Sequence, residues 1–173
     1  MSQRLVRLCR DIAILLLLAA LPHGAFAADA PTRLLVLDLE LIGDVGEDSS
    51  GHAARLRLAS ERLREELARL DRYEIVDTTP AQAHIEALAA TQYLHKCNGC
   101  ELDLAVELGA EQVLVAWVDR ISQLILSLTY EIRDVPSGRT LKRKSFDFRG
   151  DNDTSWLRAV TVLVRDLAAD PPP

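Results

Sequence analysis

Apolar side chains recur at two different spacings along this chain, and these spacings predict alternating strands and helices. Residues 34–41 begin as an unbroken apolar run and end in alternation, as expected of an interior strand whose far end reaches solvent. In residues 52–72, apolar positions recur every three or four residues, and opposite charges stand four apart on the outer surface. The second pattern predicts an amphipathic helix that covers a sheet.

The next part of the chain predicts a short strand and an interrupted helix. Residues 73–77 have the composition of a second strand, and Thr79 with Pro80 forms a helix-start signal. A helix is expected from there to about His95, where the segment 97–100 interrupts it. A shorter helix should follow over residues 101–108, and Gly109 should close it in the left-handed conformation.

The remaining patterns predict three strands and one helix. Residues 113–118 are apolar on both faces, which places them at the centre of a sheet. Residues 124–132 alternate, with Leu124 on the same side as Leu126, and a Pro-Ser-Gly turn leads to a strand at 140–149.

The last predicted strand carries Lys142, Arg143 and Lys144, which suit a sheet edge because charge discourages pairing with other chains. Asp153 is expected to cap a final helix. The element order is two crossover units followed by a meander. It predicts an α/β fold with a mixed five-stranded sheet, two βαβ crossovers, an antiparallel meander and helices packed on the sheet.

The N-terminus has the layout of an export signal. Three arginines precede an apolar stretch at residues 12–21, which is shorter than the roughly 20 residues that span a bilayer. Ala25 and Ala27 give the small-x-small pattern of a cleavage site, so cleavage is expected between Ala27 and Ala28.

The export signal sets the predicted domain organisation. Residues 1–27 form the cleavable signal peptide, 28–170 form one α/β domain, and 171–173 form a proline tail. We expect a periplasmic protein, with secretion from the cell as the alternative. Its mature form should carry no membrane span, since no second apolar run approaches the required length.

Charge narrows the choice of partners. The whole chain has a net charge of −6, and loss of the signal, with three arginines and one aspartate, makes it −8. Arginines and glutamates are interleaved on the helix faces, whereas nucleic acid requires clustered cations, so nucleic acid is not an expected partner. The expected partner is an unidentified periplasmic or envelope protein; the sequence leaves the oligomeric state open.

Two cysteines remain after export, because Cys9 leaves with the signal. An exported pair with no other partner predicts a structural disulfide between Cys97 and Cys100. Two alternatives stay open: a thiol-disulfide redox pair, since Cys100 begins a helix, and a metal site that recruits His95. Glu101 stands where a c-type haem motif requires histidine, and no cofactor is expected.

The loop at residues 43–51 could serve a second kind of site. It lacks the lysine of a phosphate-binding loop and the glycine spacing of a dinucleotide fold. Its acidic residues Asp44, Glu47 and Asp48 are interpreted as a partner-contact loop. Binding of Ca²⁺ by the same carboxylates, within a small-ligand or metal carrier, is the alternative.

No pattern in the chain points to catalysis. Asp38 and Glu40 fall on one face of the first predicted strand, where they are interpreted as its solvated end rather than as an acid and base pair. The histidines and serines match no metalloprotease or serine hydrolase motif. Trp117 and Trp156 lie in apolar patterns and are expected in the core. We therefore expect no enzyme activity.

Five segments together carry a family resemblance. They are residues 36–41, 73–77, 97–102, 108–115 and 134–138. On these segments the chain resembles an uncharacterised family of secreted bacterial proteins, catalogued as a domain of unknown function. The order of elements is more distantly similar to the N-terminal domain of TolB and to the CsgG and LpoB group of envelope proteins.

The resemblance implies a compact α/β domain that works by protein contact in the cell envelope, without catalysis. The chain departs from that wider group because Ala28 stands where a lipid anchor would need cysteine. The leading hypothesis is a non-catalytic periplasmic accessory protein.

Overall fold

The computed structural model describes residues 30–43 and 49–172. The predicted signal peptide, with its cleavage site at Ala27 and Ala28, lies outside the described residues. So do Asp44, Glu47 and Asp48 of the predicted contact loop.

Strands and helices alternate through the first two thirds of the described chain and are followed by a hairpin and a helix. The strands are β1 Thr32–Val36, β2 Glu40–Ile42, β3 Tyr73–Ile75, β4 Gln112–Arg120, β5 Ile125–Asp134 and β6 Thr140–Arg149. The helices are α1 Ser49–Leu67, α2 Gln82–Ala89, α3 Cys100–Glu107 and α4 Asp153–Ala169. Short 3-10 turns, Thr79–Ala81 and Leu94–Lys96, precede α2 and α3.

The strands form one mixed sheet in the order β3-β1-β4-β5-β6, with β2 also paired to β4. Pairings among β1, β2, β3 and β4 are parallel, and the pairings of β5 with β4 and β6 are antiparallel. This arrangement confirms the predicted fold class, with two crossovers and a meander.

The first predicted strand is not continuous, which corrects the sequence-based expectation. Val36 pairs with Leu114 and Glu40 pairs with Trp117, so four steps on one strand match three on its partner. The extra residue makes a bulge between β1 and β2. The Leu39 N–H leaves the ladder there and donates to Ser60 Oγ of α1 at 2.9 Å.

Two apolar cores lie on opposite faces of the sheet. On one face α1 and α4 pack over the whole width of the sheet, with Leu63 and Trp156 among the fully buried side chains. On the other face α2, the turn Leu94–Lys96 and α3 cover the half built by β3, β1 and β4. Apart from Ile125, the second faces of β5 and β6 bear polar side chains, as the predicted alternation requires. Both Trp117 and Trp156 are buried, as expected.

Several element boundaries differ from the predicted ones. The helix α1 ends at Leu67 rather than at 72, because the chain must turn before Tyr73 enters the sheet. The helix α2 ends at Ala89, well before His95. Asn152, not Asp153, caps α4, since its side chain accepts from the Ser155 N–H. Gly109 has a φ of +67°, the left-handed closure that was predicted. No helix in the described parts of the chain is long and apolar enough to cross a membrane.

Candidate functional site

The cysteine segment joins the turn Leu94–Lys96 to the start of α3. The structure has a disulfide between Cys97 and Cys100, with their Cα atoms 5.5 Å apart. Asn98 and Gly99 between them both adopt positive φ, which lets the backbone double back within four residues. Both cysteines are partly buried.

A buried carboxylate lies against this disulfide. Glu101 Oε2 is 3.1 Å from Cys97 Sγ, and its other oxygen pairs with the Arg133 guanidinium. A negative charge so close to sulfur disfavours a thiolate at Cys97, and a thiolate is the form that attacks disulfides. This geometry counts against the redox alternative.

The metal alternative is also changed by the structure. Within the described residues, the groups that lie close enough to share an ion are Cys97, Cys100 and Glu101, and His95 is not one of them. Sulfurs that are bonded to each other provide no thiolate ligand. A metal at this position therefore requires the reduced protein.

His95 is instead engaged by Glu40, an interaction that the sequence did not predict. The Glu40 carboxylate accepts the Leu94 N–H at 2.6 Å and the His95 N–H at 3.1 Å, and it lies 2.5 Å from His95 Nδ1. The imidazole stacks on Trp117 with ring centroids 4.3 Å apart, and its side chain is only 1% exposed. This clamp fixes the cysteine segment to the sheet, and its burial keeps the histidine from any dissolved substrate.

Asp38 and Glu40 lie on opposite faces of the sheet, so the prediction that they share a solvated face is wrong. The bulge at this point shifts the alternation by one residue. Asp38 is 62% exposed and pairs with Arg64 of α1 at 2.6 Å, whereas Glu40 is 14% exposed and points to the other layer. The two carboxylates cannot act as an acid and base pair.

A second buried cluster is centred on Asp151, in the connection between β6 and α4. Its carboxylate accepts from Arg55, Arg120 and the Trp156 indole at 2.9–3.1 Å, and His52 Nε2 lies 2.7 Å away. Burial alone would raise the pKa of Asp151. The hydrogen bonds from His52, Arg120 and Trp156 outweigh burial and hold the pKa below its usual range. The cluster joins α1, β4 and α4 at one end of the sheet.

At this end, the turn between β4 and β5 presents three exposed apolar side chains. Ile121, Leu124 and Ile125 are 67%, 71% and 42% exposed. We call them the hairpin patch. The prediction that Leu124 is packed like Leu126 is wrong, because Leu124 precedes β5 and lies in the turn. The available signal was the pair Leu124 and Ile125, since adjacent apolar residues in an alternating strand place one on the outer face.

The hairpin patch is held by main-chain hydrogen bonds. The Ile121 N–H donates to the Ile125 carbonyl at 3.1 Å, and the Gly150 and Asp151 N–H groups donate to Leu124 and Gln123 at 3.2 Å. Because Asp151 is itself fixed by its ionic partners, the exposed residues lie on a stiff support. Preorganised apolar surface of this kind is typical of protein contacts.

The predicted contact loop begins beside the same cluster. A Cβ on Gly43 would lie 2.7 Å from the Arg120 carbonyl, and Gly43 has a φ of +111°, so glycine is required there. Where the described chain resumes, α1 soon contributes His52 and Arg55 to the Asp151 cluster. The two described ends of the loop therefore lie near the hairpin patch.

The architecture defines this chain as an α/β domain with a mixed sheet and a stiffened apolar turn at one end. Its family follows from comparison of sequences. The chain belongs to the family described as "Protein of unknown function (DUF2380)", whose model matches residues 32–167. This match confirms the predicted family resemblance. No curated protein shows significant sequence similarity to the chain.

Solved structures share the fold at low sequence identity. The C-terminal domain of LpoB from Escherichia coli has a TM-score of 0.51 and 18% identity, over 72% of this chain and 87% of that one. Lipoprotein GNA1162 from Neisseria meningitidis has a TM-score of 0.50 and 16% identity, over 81% and 98%. TolB from Acinetobacter baumannii is less similar, with a TM-score of 0.47 and 11% identity, over 84% of this chain and 30% of that one. The similarity to LpoB and to lipoprotein GNA1162 establishes a common fold and leaves activity open.

Proposed function

We propose that the mature protein is a non-catalytic periplasmic accessory protein that binds another envelope protein. The hairpin patch is the observation that carries this proposal. Large apolar side chains are exposed together on a support that the Asp151 cluster keeps rigid. Exposed apolar side chains lower the solubility of a protein, so a cluster of them is typical of a binding surface. A rigid patch binds a partner with little loss of conformational entropy.

The predicted contact loop is assigned to the same surface. Its acidic residues Asp44, Glu47 and Asp48 stand in the sequence between Gly43 and α1, and Gly43 lies beside Arg120, next to the hairpin patch. In this proposal they form a charged rim around an apolar centre, the usual arrangement of a protein interface.

Export and the disulfide complete the proposal. The signal with cleavage between Ala27 and Ala28 delivers the chain to an oxidising compartment, where Cys97 and Cys100 remain bonded. The shared fold with LpoB and with lipoprotein GNA1162 supports an envelope location. Their low identity transfers no partner.

Site-specific cross-linking in living cells tests the contact surface. A photoreactive amino acid at Leu124 should yield a covalent complex with a second protein in the periplasm. The same amino acid at Leu58, an exposed leucine on α1, is the control and should yield none. Equal cross-linking at both positions, or none at Leu124, contradicts the proposal.

Mass measurement of thiols separates the structural from the redox role of the cysteines. The exported protein should begin near Ala28 and contain no free thiol. In an insulin reduction assay with dithiothreitol it should accelerate turbidity no more than a variant with Cys97→Ala and Cys100→Ala. Clear acceleration by the unaltered protein alone would favour the redox alternative.

A further inference from the structure

A groove of about 220 Å³ lies between the outer strand β6 and the helix α4, on the sheet face opposite the disulfide. Phe146 and Phe148 of β6 form one apolar side, and Ala159 and Val162 of α4 form the other. Val162 is among the exposed large hydrophobic residues of the described chain. The groove thus offers apolar surface along the edge of the sheet.

The main chain of β6 is available next to this groove. Among the described residues, β6 pairs with β5 and with no other strand. An antiparallel edge strand directs alternate N–H and C=O groups outward, where they can pair with an added strand. Ten residues, Thr140–Arg149, provide this edge.

The three cations expected to protect this edge, Lys142, Arg143 and Lys144, make contacts within the protein instead. Lys142 and Lys144 turn towards α4 and pair with Asp166. Arg143 lies on the opposite face, with its guanidinium 5.1 Å from the Trp117 ring centroid. The part of β6 beside the groove is therefore not shielded by those three cations.

Two arginines of α4 beside the groove have no ion-pair partner among the described residues. The groove is also lined by Arg149 and by one carboxylate, Asp147. Arg158 lines it as well, and Arg165 lies on the same side of α4, one turn beyond Val162. Both are exposed, and no carboxylate within the described chain pairs with either. On a protein of net charge −6, unpaired arginines beside an apolar groove favour an occupant with carboxylates.

We propose that β6 and this groove bind an extended segment of a partner protein whose groove-facing side chains are apolar in the middle and acidic at both ends. The segment adds as a strand to the free edge of β6. Because alternate side chains of a strand point to opposite faces, only every second residue of the segment meets α4. Its central apolar side chains enter the groove between Phe146, Phe148 and Val162, and its flanking carboxylates, on the same face, meet Arg158 and Arg165. No residue that lines the groove belongs to the hairpin patch, although Arg149 of the groove pairs in the sheet with Ile125 of the patch. The proposal does not depend on the patch.

A synthetic peptide tests the site directly. A labelled short peptide with glutamate, valine, valine and glutamate at every second position, and threonine between them, should bind the mature protein in fluorescence anisotropy. The same peptide with lysine in place of glutamate should not bind. Arg158→Glu replaces an attraction with a repulsion and should weaken binding about tenfold. Val162→Asp should weaken it similarly. Val106→Asp, at an exposed valine on α3, is the matched control and should leave binding unchanged.

Amide hydrogen exchange supplies a readout that distinguishes strand addition from loose attraction. The peptide should slow exchange of outward amides in β6 and leave those of β3, the other edge, unchanged. Equal binding of both peptides, or binding without protection of β6, overturns the proposal. A dimer in sedimentation that Arg158→Glu dissociates would instead identify a second copy of the chain as the occupant, which also overturns it.

Discussion

Asp38 and Glu40 show how one inserted residue decides the role of a side chain. Both are carboxylates on the same stretch of chain. Asp38 reaches Arg64 at the surface, while Glu40 accepts two main-chain N–H groups and contacts the buried His95 ring. A buried acceptor that serves several donors contributes more to stability than an exposed ion pair, because its loss leaves those donors unsatisfied.

Replacement of each carboxylate by its amide should therefore have unequal effects. Glu40→Gln should lower the free energy of unfolding by about 2 kcal/mol, since its NH₂ group faces donors that need an acceptor. Asp38→Asn is the control and should cost less than about 1 kcal/mol. Urea unfolding followed by tryptophan fluorescence measures both. Equal losses would show that the Glu40 clamp is not important for stability.

At the level of secondary-structure elements, Asp166 ties α4 to two strands. Tyr130 Oη of β5 donates to it at 2.5 Å, and Lys142 and Lys144 of β6 pair with it. Burial disfavours the charged carboxylate, but the bonds from Lys144, Tyr130 and Lys142 outweigh it and lower the pKa of Asp166 to about 2. Burial and the bond to Asp166 raise the pKa of Tyr130 above its usual range.

The lowered pKa predicts acid sensitivity. The ordinary aspartate value is 3.8, so between about pH 4 and pH 2 the unfolded chain binds a proton more readily than the folded protein. The stability from Asp166 is complete above this window and is lost as the pH falls through it. The loss should be about 2 kcal/mol, because one pKa unit corresponds to about 1.4 kcal/mol.

Urea unfolding at a series of pH values checks this prediction. The decrease in the free energy of unfolding between pH 4 and pH 2 should be smaller in Asp166→Asn than in the unaltered protein. Asp170→Asn is the control, because that exposed carboxylate shares Lys142 with Asp166. The Asp170→Asn variant should retain nearly the full decrease in the free energy of unfolding. Identical pH profiles for the unaltered protein and Asp166→Asn would exclude Asp166 as the source.

Across the whole molecule, Asp151 joins elements that are distant along the chain. His52 and Arg55 come from α1, Arg120 ends β4, and Trp156 begins the buried side of α4. The main chain at the same point supports the hairpin patch. Stability and the proposed contact surface therefore depend on one carboxylate.

Asp151→Asn should destabilise the protein by about 3 kcal/mol, because Arg55 and Arg120 would remain largely buried beside a neutral amide. Hydrogen exchange in residues 121–125 should accelerate in the same variant, since their support loosens. Asp153→Asn is the control: Asp153 is exposed, pairs with Arg55 and should have a small effect. Unchanged hydrogen exchange in residues 121–125 would show that the Asp151 cluster does not hold the hairpin patch in place.

Periodicity along the chain was sufficient to predict the order of strands and helices and the mixed sheet. Strand and helix spacings are local properties, so an interior strand such as β4 and an amphipathic helix such as α4 are recognisable from neighbouring residues alone. The predicted export signal and the cysteine pair depend equally on short segments. The central hairpin was found for the same reason.

Contacts between distant residues could not be found in this way. Glu40 and His95 are 55 residues apart, and His52 and Asp151 are 99 apart. The bulge after Val36 frees the Leu39 N–H, which Ser60 of α1 accepts, and that bulge sends Asp38 and Glu40 to opposite faces. Composition and spacing therefore determined which elements form. Packing determined which polar groups are buried together and which apolar side chains remain exposed, because both depend on the partners that each residue meets in the folded chain.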